Sequence, residues 1–179
     1  LLLKCAPDVS DDEVQGIRSL CALHGVEVQV VDKSNGGDIA GITAGACFSL
    51  VYVAGHGNFE SVGPSSGACQ SWSELALELC HAACIQPGGV VFSACCHGGL
   101  KTAAKAFFDS CPNVESLCGP KGTVYPQTLL LGFHVLMYNL LFRNGGPEQA
   151  RNLAQEATGH AFNLYSQQAY LAEIALTSP

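Results

Sequence analysis

Short apolar runs alternate with longer amphipathic segments along most of this chain. The runs predict strands, and the segments between them carry helix start and stop signals. The predicted strands cover residues 1–5, 26–31, 48–54, 90–94 and 114–118. Strands that alternate with helices favour a mostly parallel sheet covered on both faces. The pattern therefore predicts an α/β fold, with residues 1–179 forming a single domain.

The helix signals are of different strengths. Three acids at residues 11–13 predict the start of the first helix, because negative charge is stabilised at a helix N-terminus. Ser71-Trp72-Ser73-Glu74 has the form of a capping box and predicts a helix to about residue 85, ended by Pro87-Gly88-Gly89. The other predicted helices cover residues 38–44, 100–110, 125–143 and 148–161. Residues 57–70 show no periodicity and predict an exposed loop, and the pattern fades after residue 161.

Composition and charge narrow the choice of partners. With 48% hydrophobic residues, the 179-residue chain can bury a sizeable core. Its 8 basic and 15 acidic side chains give a formal charge of −7, which repels nucleic acids and anionic lipids at long range. The most apolar window, residues 129–142, is shorter than the roughly 20 residues that a membrane span needs. We therefore expect neither a nucleic-acid nor a membrane partner.

The first residues and the cysteines indicate a compartment. Leu1-Leu2-Leu3-Lys4 lacks the pattern of a signal peptide and resembles the inside of a strand, as in a domain truncated at both ends. The ten cysteines lie mainly inside apolar segments, where cysteine usually acts as a small buried hydrophobe in a reducing compartment. The sequence thus predicts a cytoplasmic protein with mostly structural cysteines. Those expected to be structural are mainly Cys5, Cys21, Cys47, Cys80, Cys84 and Cys118.

A zinc site is an alternative use of some cysteines and histidines. Cys80-His81-x-x-Cys84 could combine with Cys96 and His97. The chain has no C-x-x-C pair, however, and the ligand spacings are poor for a structural zinc site. The favoured prediction is a protein without a metal or an organic cofactor.

Two of the apolar runs end in a reactive side chain followed closely by glycine. One closes with Ala54-Gly55-His56-Gly57, and the other with Ser93-Ala94-Cys95-Cys96-His97-Gly98. Parallel sheets place their chemistry at the carboxyl ends of strands, and an imidazole with a thiol provides a base and a nucleophile. A thiol at a strand end that faces a helix N-terminus is also expected to have a lowered pKa. Because consecutive strand residues face opposite sides, only one of Cys95 and Cys96 can point at His56.

These motifs resemble those of the caspase-like cysteine proteases, and most closely those of the CHAT proteases. In this group an apolar strand ends in His-Gly, a helix follows, and the next apolar strand ends in Ser-Ala-Cys-x-x-Gly. Cys95 follows His56 by 39 residues, somewhat fewer than the about 50 of caspases. The segments at residues 112–119 and 145–147 are also similar to the CHAT layout. The resemblance covers about residues 45–160.

The resemblance implies a caspase-like sheet and a cysteine endopeptidase that cleaves a protein substrate. Cys95, the cysteine in register with the motif, would attack the scissile carbonyl, and His56 would protonate the departing amine. The amides of Gly57 and Cys95 would form the oxyanion hole, which needs the close approach that glycine allows. Ser93 would line the substrate pocket, and its small neutral side chain supports neither a strictly acidic nor a strictly basic preference. An activating partner or regulatory domain would control the enzyme.

Two other functions compete with this one. The same fold could be a catalytically inactive signalling or ligand-binding module, in which His56 and Cys95 only border a pocket. A serine esterase would need a Gly-x-Ser-x-Gly elbow after a strand. The closest stretch, Gly63-Pro64-Ser65-Ser66-Gly67, follows no predicted strand. The histidines outside the motifs fall in predicted helices and are expected to be packing or surface residues: His24, His81, His134 and His160.

Overall fold

A computed structural model describes residues 1–177 as an α/β fold. Its strands are β1 (Leu2–Lys4), β2 (Val30–Asp32), β3 (Phe48–Ala54), β4 (His56–Gly57), β5 (Ser61–Gly63), β6 (Gln70–Ser71), β7 (Ile85–Ala94), β8 (Val114–Pro120) and β9 (Phe162–Ser166). Six of them form the main sheet in the order β2-β1-β3-β7-β8-β9. All neighbouring strands in it are parallel except β8 and β9. The prediction of a mostly parallel sheet is confirmed.

Helices cover both faces of this sheet, as predicted. They are α1 (Asp11–Leu23), α2 (Ile39–Thr43), α3 (Trp72–His81), α4 (Lys101–Ser110), α5 (Pro126–Phe142), α6 (Pro147–Thr158) and α7 (Gln167–Thr177). Side chains from α3 and α4, such as Leu75 and Phe107, belong to the core on one face. Side chains from α1, α5 and α6, such as Ile17 and Phe133, belong to the core on the other. Successive strand residues alternate between the two cores because a strand has a side-chain period of two.

Helix α3 begins where the sequence predicts and ends earlier. The Ser71 hydroxyl accepts from the Glu74 amide at 3.2 Å, and the Glu74 carboxylate accepts from the Ser71 amide at 2.9 Å, so the capping box is present. The helix ends at His81, and Pro87-Gly88-Gly89 lies inside β7 instead of ending the helix. The register of β7 shifts against both neighbouring strands around these residues. Such irregularities tolerate proline and glycine within a strand, which explains the error.

The predicted loop at residues 57–70 contains regular structure. Strands β4, β5 and β6 form a separate three-stranded antiparallel sheet in this region. Each strand is only two or three residues long, so it is too short to produce a visible alternation of polar and apolar positions. The prediction of an exposed loop is therefore wrong at β5, where Val62 and Gly63 are buried, while residues 58–60 and 65–69 lie outside the strands and are exposed.

Other boundaries differ from the prediction at the edges of the sheet. Strand β2 covers only Val30–Asp32 of the apolar segment that begins at residue 26. Helix α6 ends at Thr158, so His160 lies outside it. Strand β9 and helix α7 follow where the pattern gave no prediction. Strand β9 is antiparallel to β8, and its hydrogen bonds depend on a neighbour that is distant in sequence.

Two histidines that were expected to be ordinary packing residues form a pair between α1 and α5. The Nε2 atoms of His24 and His134 lie 3.0 Å apart, and the ring centroids are 5.2 Å apart. This separation fits one imidazole donating to the other. Burial, and then the charge of His24, lower the pKa of His134 from its ordinary value of 6.5. The structure therefore favours the neutral form of His134.

The histidine pair predicts a loss of stability in mild acid. Because folding lowers the pKa of His134, the unfolded chain binds the proton more tightly, so stability falls as pH drops below about 6.5. We expect the melting temperature of His134→Gln to fall about 2 °C less than that of the wild type between pH 7.5 and 5.5. Thermal unfolding at both pH values measures this difference. His81→Gln, at an exposed position, is the control, and equal falls in all three proteins would contradict the prediction.

Candidate active site

The predicted nucleophile and base follow neighbouring strands at one edge of the main sheet. Val53 pairs with Ser93 and Ala54 with Ala94, so the loops after β3 and β7 leave the sheet side by side. In the strand order β2-β1-β3-β7, the chain extends from β1 in both directions. Such a switch point is where open α/β sheets form a crevice for ligands. The loops after β1, β3 and β7 therefore surround one candidate site.

Cys95 lies in a tight turn directly after β7. The Gly98 amide donates to the Cys95 carbonyl oxygen at 3.0 Å, and His97 has a φ of 59° in the left-handed region. A non-glycine residue rarely adopts this conformation, which costs free energy. The turn directs the Cys95 side chain into the core beneath α3 and α4, where it is only 1% exposed.

Two glycines enclose the Cys95 thiol. A Cβ atom built on Gly57 would lie 2.5 Å from Sγ of Cys95, and one built on Gly98 would lie 2.9 Å from it. Both distances are far below van der Waals contact, so a side chain at either position would displace the thiol or the loop. The backbone next to His56 therefore packs directly on Cys95, as an oxyanion donor at Gly57 requires.

The imidazole of His56 is partly exposed to solvent. Its side chain is 52% exposed, and its Nε2 lies 3.3 Å from Oδ2 of Asp8, in the loop after β1. Within residues 1–177, no hydrogen bond joins His56 to Cys95. The structure thus brings the two loops together but holds the imidazole against a carboxylate that the sequence did not suggest.

The thiol of Cys95 has a different partner and is neutral at physiological pH. Its Sγ lies 3.4 Å from the hydroxyl oxygen of Ser93, which is fully buried beside it. Burial raises the pKa of Cys95 to about 12, although the Ser93 hydrogen bond acts in the opposite direction. The expectation of a lowered pKa from a helix N-terminus is therefore wrong for this conformation, because desolvation dominates.

The neighbouring cysteine, Cys96, has separate surroundings. Its Sγ contacts the carbonyl oxygen of Val124 at 3.8 Å, and the side chain is half-buried. Cys95 instead contacts Gly57, Gly98 and Ser93. Against Gly57 the structure therefore places the thiol of Cys95 and the backbone carbonyl oxygen of Cys96.

An aromatic contact links the loop after β4 to the turn that follows Cys95. The exposed Phe59 ring stacks on His97, with centroids 5.7 Å apart and an interplanar angle of 21°. The Thr102 hydroxyl donates to the Phe59 carbonyl oxygen at 2.7 Å. The first contact joins the loop after His56 to the turn that follows Cys95, and the second joins the same loop to α4. These contacts have no signal in the sequence, because Phe59 lies in a segment without periodicity.

Loss of this aromatic contact is expected to expose the thiol. An aromatic pair contributes about 0.5–1.5 kcal/mol, so Phe59→Ala should speed alkylation of Cys95 by about two- to tenfold. Iodoacetamide labelling followed by peptide mass spectrometry measures the rate at Cys95 itself. Leu77→Ala, which removes another exposed apolar side chain, is the control. An unchanged rate in Phe59→Ala would show that the stack does not limit access.

Disulfides, metal sites and membrane-spanning helices are further features that could indicate a function. Each of the ten cysteines is a free thiol. Among residues 1–177, no three His, Cys, Asp or Glu side chains are grouped so that they could hold a metal ion, and this includes the residues of the zinc alternative. Over the same residues, no helix combines the length and apolar character needed to cross a membrane.

Comparison with known proteins gives no family for this chain. No protein-family profile matches it, and no curated protein is significantly similar to it in sequence. Its function is therefore inferred from the two strand-end motifs and from the geometry around Cys95.

Proposed function

We propose that this chain is a cysteine endopeptidase in which Cys95 is the nucleophile and His56 the general acid and base. The observation that carries the proposal is the packing of the His56–Gly57 backbone on the Cys95 thiol at the ends of adjacent parallel strands. A thiol, an imidazole and a glycine amide in the loops after two adjacent strands are the groups that acyl transfer needs.

The sheet order and the motifs together support a caspase-like fold for the proposed enzyme. Ala54-Gly55-His56-Gly57 and Ser93-Ala94-Cys95-Cys96-His97-Gly98 occupy the ends of neighbouring strands, and α3 lies between them in the chain. This arrangement resembles the CHAT group, in which His-Gly and Ser-Ala-Cys-x-x-Gly end successive strands of the sheet. The ten free thiols suit a reducing compartment, so the proposal includes a cytoplasmic location.

The proposed reaction uses groups that surround the crevice. Sγ of Cys95 transfers its proton to His56 and attacks the carbonyl carbon of the scissile peptide bond. The negative charge on the carbonyl oxygen is stabilised by the amides of Gly57 and Cys95. His56 then gives the proton to the departing amine as the C–N bond breaks, and water hydrolyses the thioester. Ser93 contacts the thiol from within the core, so in the proposed enzyme it also fixes the position of Sγ.

A second candidate function is supported by the state of the thiol. Cys95 is 1% exposed and has a pKa of about 12, and its thiol is hydrogen-bonded to the Ser93 hydroxyl instead of the His56 imidazole. An enzyme in this conformation is latent, and an activating partner would have to open the crevice to a protein substrate. The same features fit a catalytically inactive signalling or ligand-binding module with this fold.

Proteomics in cells distinguishes the two candidates. New protein N-termini are compared by mass spectrometry between cells that express the wild type and cells that express Cys95→Ala. Termini found only with the wild type support proteolysis, and the residues around them define the cleavage preference. Identical termini, together with equal alkylation rates of Cys95 in the wild type and His56→Ala, would favour the inactive module.

A further inference from the structure

A carboxylate contacts the imidazole at the candidate active site. Asp8 lies in the loop that follows β1, and Lys4 of β1 pairs with Ala54, close to the end of β3. This adjacency places Oδ2 of Asp8 3.3 Å from Nε2 of His56. The two residues are far apart in sequence, and only the parallel pairing of β1 with β3 brings them together.

Asp8 is itself fixed in position by Ser65, in the loop between β5 and β6. The Ser65 amide donates to Oδ2 of Asp8 at 3.0 Å, and the Ser65 hydroxyl donates to the same oxygen. Ser65 follows β5, which pairs with the strand that contains His56. The Ser65 hydrogen bonds lower the pKa of Asp8, so the carboxylate stays charged at neutral pH. The contact with His56 is therefore held by two neighbouring loops.

A second carboxylate near His56, that of Glu13, is hydrogen-bonded to a different residue. Glu13, in the first turn of α1, accepts a hydrogen bond from the buried Tyr52 hydroxyl at 2.8 Å. Burial raises the pKa of Glu13, while Tyr52 and His56 lower it. Because Glu13 is engaged with Tyr52, Asp8 is the carboxylate in contact with the imidazole.

We propose that Asp8 is a positioning residue that fixes the tautomer and the orientation of His56. This inference rests on the proposed function. A carboxylate at Nε2 favours the tautomer with its proton on Nε2, which leaves Nδ1 to accept the Cys95 proton and later to give it to the departing amine. The carboxylate also stabilises the imidazolium that forms between these two transfers. Asp8, His56 and Cys95 then act as a triad.

The test measures the reactivity of Cys95 and the tautomer of His56 in the full chain. Alkylation by iodoacetamide is followed at Cys95 by peptide mass spectrometry in the wild type, Asp8→Asn, Asp8→Glu and His56→Ala. The ¹⁵N chemical shifts of the His56 ring report which nitrogen carries the proton. Asp12→Asn is the control, because it removes the same charge from an exposed position nearby.

We expect Asp8→Asn to slow alkylation of Cys95 about tenfold and to mix the two tautomers of His56, a moderate effect because Asp8 is 36% exposed. Asp8→Glu should restore much of the rate, and Asp12→Asn should match the wild type. His56→Ala could slow alkylation while Asp8→Asn leaves both the rate and the tautomer unchanged. That result would contradict the positioning role of Asp8 and would leave the proposed Cys95–His56 dyad intact. If His56→Ala itself has no effect on the rate, and wild type and Cys95→Ala also give identical protein N-termini in cells, the proposed function fails instead.

Discussion

Replacement of Cys95 or His56 by alanine is expected to abolish the proposed proteolytic activity. Cys95→Ala removes the nucleophile, and His56→Ala removes the group that transfers the proton, which contributes about 10²–10⁴-fold to such reactions. The measurement is cleavage of a peptide that spans a site identified from new protein N-termini in cells. Circular dichroism of each purified variant establishes that the loss of activity is not a loss of folding.

Cys96→Ala is the matched control for this experiment. Cys96 carries the adjacent thiol, which contacts the Val124 carbonyl oxygen, while its backbone carbonyl oxygen lies against Gly57. We expect Cys96→Ala to keep the wild-type cleavage rate within about twofold, because the substitution removes only a half-buried thiol that contacts the Val124 carbonyl oxygen. A Cys96→Ala protein that is as inactive as Cys95→Ala would overturn the assignment of the nucleophile. Full activity in Cys95→Ala would overturn the proposed function.

The strand ends that carry the site were predictable because their signals are local. Residues 48–54 form an apolar run that the structure shows as a strand with the same bounds, Phe48–Ala54. The second run ends at Ala94, directly before Cys95, although β7 begins earlier than predicted. Since parallel strands end at one edge of a sheet, these two ends were enough to place His56 and Cys95 near each other.

Contacts between distant segments were not predictable from the pattern. Asp8 reaches His56 only because β1 pairs with β3, and Phe59 reaches His97 only because two loops meet above the sheet. The loop positions of Asp8 and Phe59 carry no periodicity that would mark them. The short strands β4 and β5, which hold Ser65 near Asp8, are also too brief to give a signal.

The direction of the pKa shift of Cys95 could not be predicted from the sequence. A strand end before a helix suggested a lowered pKa for Cys95, since a helix N-terminus stabilises a thiolate. The sequence could not show that Gly57, Gly98 and Ser93 would enclose Sγ and exclude water. Burial disfavours the charged thiolate more strongly than the Ser93 hydrogen bond favours it, so the pKa of Cys95 rises to about 12. Activation of the proposed enzyme must therefore relieve this burial.

Gly57→Ala is expected to inactivate the proposed enzyme while preserving its fold. The added Cβ would lie 2.5 Å from Sγ of Cys95 and 2.7 Å from the carbonyl oxygen of Cys96. Because one of these neighbours is backbone, relaxation of a side chain alone cannot relieve the overlap. The loop must move, and the Gly57 amide moves with it. Loss of one oxyanion donor costs about 10²–10³-fold in rate, so we expect cleavage to fall by at least this factor.

Gly122→Ala separates this effect from a general intolerance of alanine in loops. A Cβ on Gly122 meets no atom within 4 Å, so this variant should keep both the cleavage rate and the melting temperature of the wild type. In Gly57→Ala the displaced loop should also alter alkylation of Cys95, because the backbone that covers Sγ has shifted. A Gly57→Ala protein that cleaves the peptide at the wild-type rate would show that the amide of Gly57 does not stabilise the oxyanion. The donor would then have to come from the turn after Cys95, where Gly98 is the other glycine against the thiol.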